Sequence, residues 1–488
     1  MLGHTDLTRR EFLRVCAIGA GAAMLASCAP KATPAAKEAA PAQAAPTKAP
    51  AQPAAAETHK IIIWQGFGTG NSPSQQADQN KLAEECTADL KDKGISVEMA
   101  YTPHAEHLAK FTAMLAAGDP PDIVMPIGIG GVAELYDQDA WMDIKPLIDR
   151  DNYDMSDFYG PTKILHTYEK GTLGLPMAVY PSFIYYNKDL FAAAGVDELP
   201  HKFGEPGYDF DKLRAIAQKL TLDSKGNSAD KSGFDPSDIK QWGLDESWQG
   251  FVAAALQFGA PSSTGISDDR KTSLFDHPAY GQRAQWINDN VFKYHIAASA
   301  DQSSEAFSLA GDPFSSGLVG MFWCHTWMMG QTYAELKFGW DVGAVPKGPT
   351  GVISSQIDAD TFVMPAAGKQ HDQAWEVAKW CCSPGKLERY ALTWGSVPAR
   401  LSSKDTFQKS FKEKFPNQDY QVVLDAIDVG DVPNHEAWVP NPAKIGDAES
   451  AVTDKFYLAE ESNCAALLQE LDKTVQGLLD EYWKGKGG

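Results

Sequence analysis

Between Lys60 and Met125 the hydrophobic period of this chain switches repeatedly between strand-like and helix-like spacing, and that alternation leaves few folds open. Lys60 to Trp64 is a short β-branched run suited to a buried parallel strand. From Ala77 to Lys93, the residues Leu82, Cys86 and Leu90 share one helical face, and Gly94 stands where a left-handed helix cap is wanted. Ile95, Val97, Met99 and Tyr101 then alternate with smaller or polar residues as a second strand. Leu108, Phe111 and Leu115 mark another helix, stopped by Gly118-Asp119-Pro120-Pro121, and Asp122-Ile123-Val124-Met125 is a third strand. The expected product is a βαβαβ unit, an α/β architecture whose loops gather at the strand ends, where open parallel sheets bind ligands.

The chain has 488 residues, and the body from about His59 to Gly488 exceeds what one hydrophobic core supports, which predicts two lobes. Residues 29–58 are nearly all Ala, Pro, Lys, Gln and Thr, too poor in apolar surface to fold, and read as an extended linker starting from Cys28. Residues 1–27 combine a basic start, an apolar stretch from Val15 to Met24 and a small-residue cleavage site, the pattern of an export signal. Within it, Thr8-Arg9-Arg10-Glu11-Phe12-Leu13 is similar to the twin-arginine signal for folded proteins. Leu25-Ala26-Ser27-Cys28 resembles the lipobox at which bacterial lipoproteins are cut and acylated on the cysteine. An ordinary positive n-region and an incidental cysteine are the alternatives. The expectation is a body held by lipid on Cys28 at the extracytoplasmic face of the cell membrane. No run of 18 or more apolar residues follows the signal.

A formal net charge of −21 argues against nucleic acid or anionic lipid as partners, because a polyanion is repelled by that field. Cys86, Cys324, Cys381, Cys382 and Cys464 are odd in number and suit no zinc spacing, so buried thiols are expected. The polar segment Asp223 to Pro236 lacks the glycine and the terminal glutamate of a calcium loop. His104, His107, His325, His371 and His435 are scattered, and no metal site or cofactor is expected. Gly-x-Ser-x-Gly, His-Glu-x-x-His and phosphate-loop motifs are missing, so no enzyme activity is expected. A carboxylate pair for glycoside hydrolysis is a matter of spatial separation that sequence leaves open.

Further motifs run in a characteristic order. They include Gly118 to Val124, Leu175-Pro176, the series from Ile184-Tyr185-Tyr186-Asn187-Lys188-Asp189-Leu190-Phe191 to Val196, and Phe210-Asp211-Lys212-Leu213. Gly317-Leu318-Val319-Gly320-Met321, Trp340 to Pro349 and Ala374-Trp375-Glu376-Val377-Ala378-Lys379-Trp380 follow. The set resembles the extracellular solute-binding proteins of sugar ABC importers, the family that includes maltose-binding protein, from about residue 60 to 400. The resemblance implies a two-lobed fold, each lobe a mixed sheet flanked by helices, with a ligand cleft between them. On that basis lobe 1 is expected at 59–179 plus 355–400, and lobe 2 at 180–354 plus 401–488. A helix with Cys464, Leu467, Leu468, Leu471, Val475, Leu478, Leu479 and Tyr482 on its apolar side should cover lobe 2.

A sugar ring needs flat aromatic surface for its C–H face and planar polar groups for its hydroxyl edge. Thirteen tryptophans exceed what a core of this size requires. The candidates are Trp64 and Phe67 at the first strand end, Trp323 and Trp327 after Met321, Trp394 before Gly395, and Trp438 before Pro440; Trp242 and Trp248 lie in similar contexts. The resemblance singles out Trp327, where the family commonly has Gly-Pro-Trp and this chain has His325-Thr326-Trp327. A core position between Met321 and Met328 is the competing reading. Tyr180 falls at the crossover where family members place a ligand-facing side chain, or else packs in the hinge. For the polar edge the candidates are Gln65, Asn71, Asp358 and Asp360, the last two preceding an apolar strand taken to start at Thr361. Ile127-Gly128-Ile129-Gly130-Gly131 departs from the family and supplies no side chain there.

The function expected is a monomeric receptor that closes two lobes around a sugar or oligosaccharide and delivers it to ABC transporter permease subunits. A polyamine or other cationic solute is the alternative ligand, and an extracellular glycosidase the contrasting class.

Overall fold

The structure is a computed structural model that describes residues 58–66, 71–103, 106–127, 135–136, 138–160, 162, 167–168, 171–330, 333–431 and 439–486. The signal, the linker, Cys28, Phe67 and Trp438 lie outside the described residues. All that follows concerns one compact unit.

The strands are β1 (His59–Gln65), β2 (Ile95–Tyr101), β3 (Ile123–Ile127), the short pair β4 (Thr167–Tyr168) and β5 (Gly171–Thr172), β6 (Gly174–Asn187), β7 (Leu222–Asp223), β8 (Ile239–Asp245), β9 (Val319–His325), β10 (Trp340–Gly343), β11 (Ile357–Val363) and β12 (Val397–Pro398). The expected βαβαβ unit is present: β1 runs parallel to β2, with His59 opposite Ile95 and Gln65 opposite Tyr101, and parallel to β3. The helix between β1 and β2 spans Pro73–Asp89, capped by Ser72, whose hydroxyl accepts from the Gln75 backbone while the Gln75 side chain returns to Ser72. A 3-10 turn then leads to Gly94, whose φ of 69° is the left-handed conformation that glycine adopts without penalty.

Strand β6 organises the rest. Its fourteen residues are all buried. The first part, Gly174 to Pro181, pairs antiparallel with β11, and Val179 and Ala178 pair with β12. The second part changes partners: Ser182 to Tyr186 pair with β9, and Ile184 to Asn187 with β10. The change falls at Pro181, which has no N–H to give to a ladder. There the Ser182 N–H donates to the Gln356 carbonyl at 2.8 Å, and Thr326 N–H donates to the Pro181 carbonyl at 3.1 Å. One sheet, ordered β2-β1-β3-β11-β6-β9-β8-β7, thus continues through a single strand that serves two sets of neighbours.

Two large cores flank that strand. One gathers Ile61, Ile63, Leu82 and Met125 with Met177, Tyr185, Phe322 and Trp375, and includes Phe407 and Phe411 from the helix Lys404–Lys414, its cap Phe415, and Tyr420 from the helix Tyr420–Asp428. The other gathers Ile184, Tyr186, Leu213, Ile216, Leu220 and Trp323 with Cys464, Leu468, Leu471, Val475 and Leu479. These last five line the buried face of the helix Cys464–Gly485, as their spacing predicts. The five cysteines among the described residues are buried free thiols. No helix among the described residues is long and apolar enough to cross a membrane.

Candidate functional site

The changeover in the middle of β6 brings the end of β9 and the start of β11 together. Asp358, the second residue of β11, sits opposite Tyr180, and His325, the last residue of β9, sits opposite Ser182. Strand β11 starts at Ile357, four residues before the expected Thr361, because its ladder with β6 extends past the apolar run and takes both aspartates into the sheet. Asp358 stays partly exposed, whereas Asp360 is only 6 % exposed.

Around this junction stands a group of aromatic and acidic side chains. The Tyr180 hydroxyl donates to Asp360 Oδ2 at 2.9 Å. The Trp327 indole packs on the Tyr180 ring at 5.9 Å, tilted 56°, and lies flat on the His325 imidazole, ring centroids 4.0 Å apart and planes 17° from parallel. His325 Nε2 is 3.5 Å from Asp358 Oδ2. Burial pushes the Asp360 carboxyl up to about 7, against the opposing effect of the Tyr180 hydrogen bond. Trp327 itself is half-buried, at the start of the short helix Trp327–Gly330.

Serine and glutamine side chains tie the junction down. Ser355 Oγ accepts from the Ser182 N–H at 3.0 Å and lies 2.7 Å from the Ser182 carbonyl, and Ser182 Oγ accepts from the Gln356 N–H at 2.9 Å. The Gln356 side chain clasps Gly250 twice, donating to its carbonyl at 2.7 Å and accepting from its N–H at 3.0 Å. That clasp fixes the loop after β8, on which Trp248 is 40 % exposed with its ring edge against Phe322 at 5.8 Å.

The strand end at β1 forms a separate group. Gln65 is buried, and its carbonyl accepts from the Thr102 N–H at 2.9 Å. Trp64 Nε1 donates to Thr102 Oγ1 at 3.0 Å, and Asn71 Nδ2 to the Thr102 carbonyl at 3.0 Å. The Trp64 ring stacks on Phe111, which stacks in turn on Trp141.

Sequence spacing therefore selected residues of three kinds. Trp327, Tyr180, Asp358 and Asp360 come together at the junction. Gln65, Asn71 and Trp64 meet around Thr102, with Trp64 only 2 % exposed. Trp323 and Trp394 lie in cores: Trp323 points inward from β9 towards Phe210 at 6.0 Å, and Trp394 ends the helix Leu387–Trp394, fully buried, its Nε1 donating to Gln79 Oε1 at 3.2 Å. Proximity to Met321 and to Gly395 cannot tell an inward from an outward indole, since strand parity and helix phase decide that. Two further side chains, His325 at the junction and Trp248 on the loop after β8, are not among the site candidates that the sequence offers; the signal available for His325 is its place two residues before Trp327.

This arrangement sits within a recognisable lineage. The sequence model for bacterial extracellular solute-binding proteins matches residues 72–387, and the chain belongs to that family. A binding protein of Brucella abortus is 25 % identical over 324 residues, 64 % of this chain and 70 % of that one. The erythritol/L-threitol-binding protein of Mycolicibacterium smegmatis is 22 % identical over 363 residues, 70 % of each chain. Among solved structures, an ABC substrate-binding protein of Listeria monocytogenes in complex with cycloalternan superposes with a TM-score of 0.72 at 18 % identity, over 87 % of this chain and 100 % of that one. The fold is accordingly the two-lobed α/β fold of periplasmic binding proteins, built on a mixed sheet flanked by helices.

Proposed function

We propose that this protein is an extracytoplasmic receptor for a sugar, polyol or oligosaccharide, and that it passes its ligand unaltered to an ABC importer. The observation that carries the reading is the junction of β6, β9 and β11, where Trp327 offers an indole face beside the Tyr180 hydroxyl and the Asp358 and Asp360 carboxylates. Flat aromatic surface beside oxygen acceptors suits a ring with an apolar face and a hydroxyl edge. Cycloalternan and erythritol, named for two similar proteins, are both polyhydroxylated and uncharged.

In this reading the lobes comprise residues 59–179 plus 355–400 and 180–354 plus 401–488, and the ligand closes them through its differential affinity for the closed state. Trp248, Gln65 and Asn71 join Trp327, Tyr180, Asp358 and Asp360 as candidate contacts, whereas Trp64, 2 % exposed and stacked on Phe111, is a core side chain like Trp323. Residues 1–27 are the export signal and Cys28 carries the lipid that anchors the body outside the membrane. Globomycin treatment of producing cells, or Cys28→Ala, should leave an unacylated form detectable by mass spectrometry.

A cationic ligand is the second reading, favoured by the two carboxylates at the junction and the net charge of −21. A thermal-shift screen against mono- and oligosaccharides, polyols and polyamines separates the two, because a bound ligand raises apparent stability with its occupancy. Stabilisation by polyamines alone would overturn the sugar reading.

A further inference from the structure

Six residues beyond Tyr180 along β6, roughly 20 Å at ~3.3 Å per residue, a second cluster of titratable side chains surrounds His201. Its Nδ1 is 2.9 Å from Asp419 Oδ2. Its Nε2 faces Asp341 Oδ2 at 3.7 Å and the Tyr186 hydroxyl at 3.4 Å, and that hydroxyl donates to Glu198 Oε2 at 2.9 Å. Asp341, on β10, is 4 % exposed. Its Oδ1 accepts from the N–H groups of Val342 and Asp419 at 2.8 and 2.9 Å. Its Oδ2 is directed at His201 from beyond hydrogen-bond reach. One atom each from Glu198, His201 and Asp341 lie within 4.8 Å of one another.

We propose that Glu198, His201 and Asp341 form a binding site for a divalent first-row metal ion of the zinc type, with Asp419 as the positioning residue behind the histidine. A histidine held at one ring nitrogen by a carboxylate presents the other nitrogen as a ligand in a fixed direction. That other nitrogen, Nε2, faces the buried Asp341 Oδ2 with no hydrogen bond between them. The separation of 3.7 Å is close to the ~3.4 Å edge of a tetrahedron built on 2.0–2.1 Å bonds. Glu198, with its side chain half exposed, needs only a rotation to complete the third position.

Charge points the same way. Three carboxylates, Asp341, Asp419 and Glu198, gather here, and among the described residues the ammonium beside them is that of Lys188, 2.9 Å from Glu198 Oε1. One imidazole with two carboxylates suits zinc, cobalt, nickel or manganese, whereas calcium prefers six to eight oxygens. The ligands come from the segment after β6, from β10 and, through Asp419, from the cap of the helix Tyr420–Asp428, so a bound ion would clamp three distant parts of the chain together.

The experiment is calorimetric titration of the EDTA-treated full chain with zinc sulfate, alongside His201→Gln, Glu198→Gln and Asp419→Asn. The expected result is a saturable site whose affinity falls tenfold or more in each of the first two variants and about tenfold in the third, with the zinc-induced rise in melting temperature reduced in parallel. Glu198→Gln keeps the test open if His201→Gln misfolds. No saturable zinc binding in the parent chain, unchanged affinity in Glu198→Gln, or tighter binding of calcium than of zinc would each overturn the assignment. In the first case His201 is a structural bridge between Asp341 and Asp419 with no metal role.

Discussion

His325 covers one face of the Trp327 indole, ring on ring at 4.0 Å, and the Tyr180 ring packs against the same indole at 5.9 Å. A stacking platform backed by a second flat ring keeps its orientation when the ligand leaves. The side chain two residues ahead of the tryptophan thereby takes over the positioning that a rigid Gly-Pro lead-in would give.

Trp327→Ala should therefore weaken sugar binding tenfold or more, a loss of ~1–4 kcal/mol for a central anchor, with little change in folding. Trp323→Ala, emptying a core position at 2 % exposure, should instead cost about 3–5 kcal/mol of stability. Calorimetry and urea denaturation of both variants separate the roles; equal effects on binding from the two would remove Trp327 from the site.

Asp360 gives the protein a pH dependence of definite sign. Its carboxyl titrates near 7 in the folded state, above its unfolded value, because burial disfavours the charged form. The native state then holds a proton that the unfolded chain has released, so stability falls as pH rises from about 4 to about 7 and levels off above that. Asp360→Asn should flatten this part of a pH series of denaturation midpoints; an unchanged slope would show that Asp360 is ionised throughout.

Gly330 marks a contact that tolerates no side chain. A Cβ there would lie 2.3 Å from the backbone carbon of Trp394 and 2.4 Å from the Gly395 nitrogen, so the helices Trp327–Gly330 and Leu387–Trp394 would have to separate. Gly330→Ala should lower stability by ~2 kcal/mol or more and, by shifting the Trp327 helix, reduce ligand affinity as well. Denaturant midpoints within error of the parent would contradict this packing.

Glu246 and Arg283 form an ion pair of 2.7 Å at 2 % and 1 % side-chain exposure, with Trp286 Nε1 also donating to the carboxylate at 2.9 Å. Breaking one side strands the other charge in the core. Glu246→Gln should cost about 3–5 kcal/mol in urea unfolding, more than replacement of both partners by apolar residues of similar volume.

Local pattern carried far. The βαβαβ unit, the Gly94 cap and the buried face of the helix Cys464–Gly485 follow from periods and stop signals that any ten-residue window contains. Strand β11 starts four residues earlier than its apolar run suggests because Asp358 and Asp360 look like loop residues until β6 offers them a ladder. The tryptophans divide for the same reason: Trp327 emerges half-buried at the start of the short helix after β9, while Trp323 and Trp394 turn inward by an alternation and a helix phase that neighbouring letters leave undetermined. The His201 cluster was invisible altogether, since Asp341 and Asp419 join it from far along the chain.

What the amino-acid order determined by itself was the alternating α/β class, the membership signalled by motifs in series, and a surface charge hostile to polyanions. Those are properties of short windows and of sums. What the tertiary structure alone decided was which side chains meet: the partner change of β6 at Pro181 brings residues 180, 325, 327, 358 and 360 to one junction, because hydrogen-bond pairing between strands acts over sequence distances that no local period records.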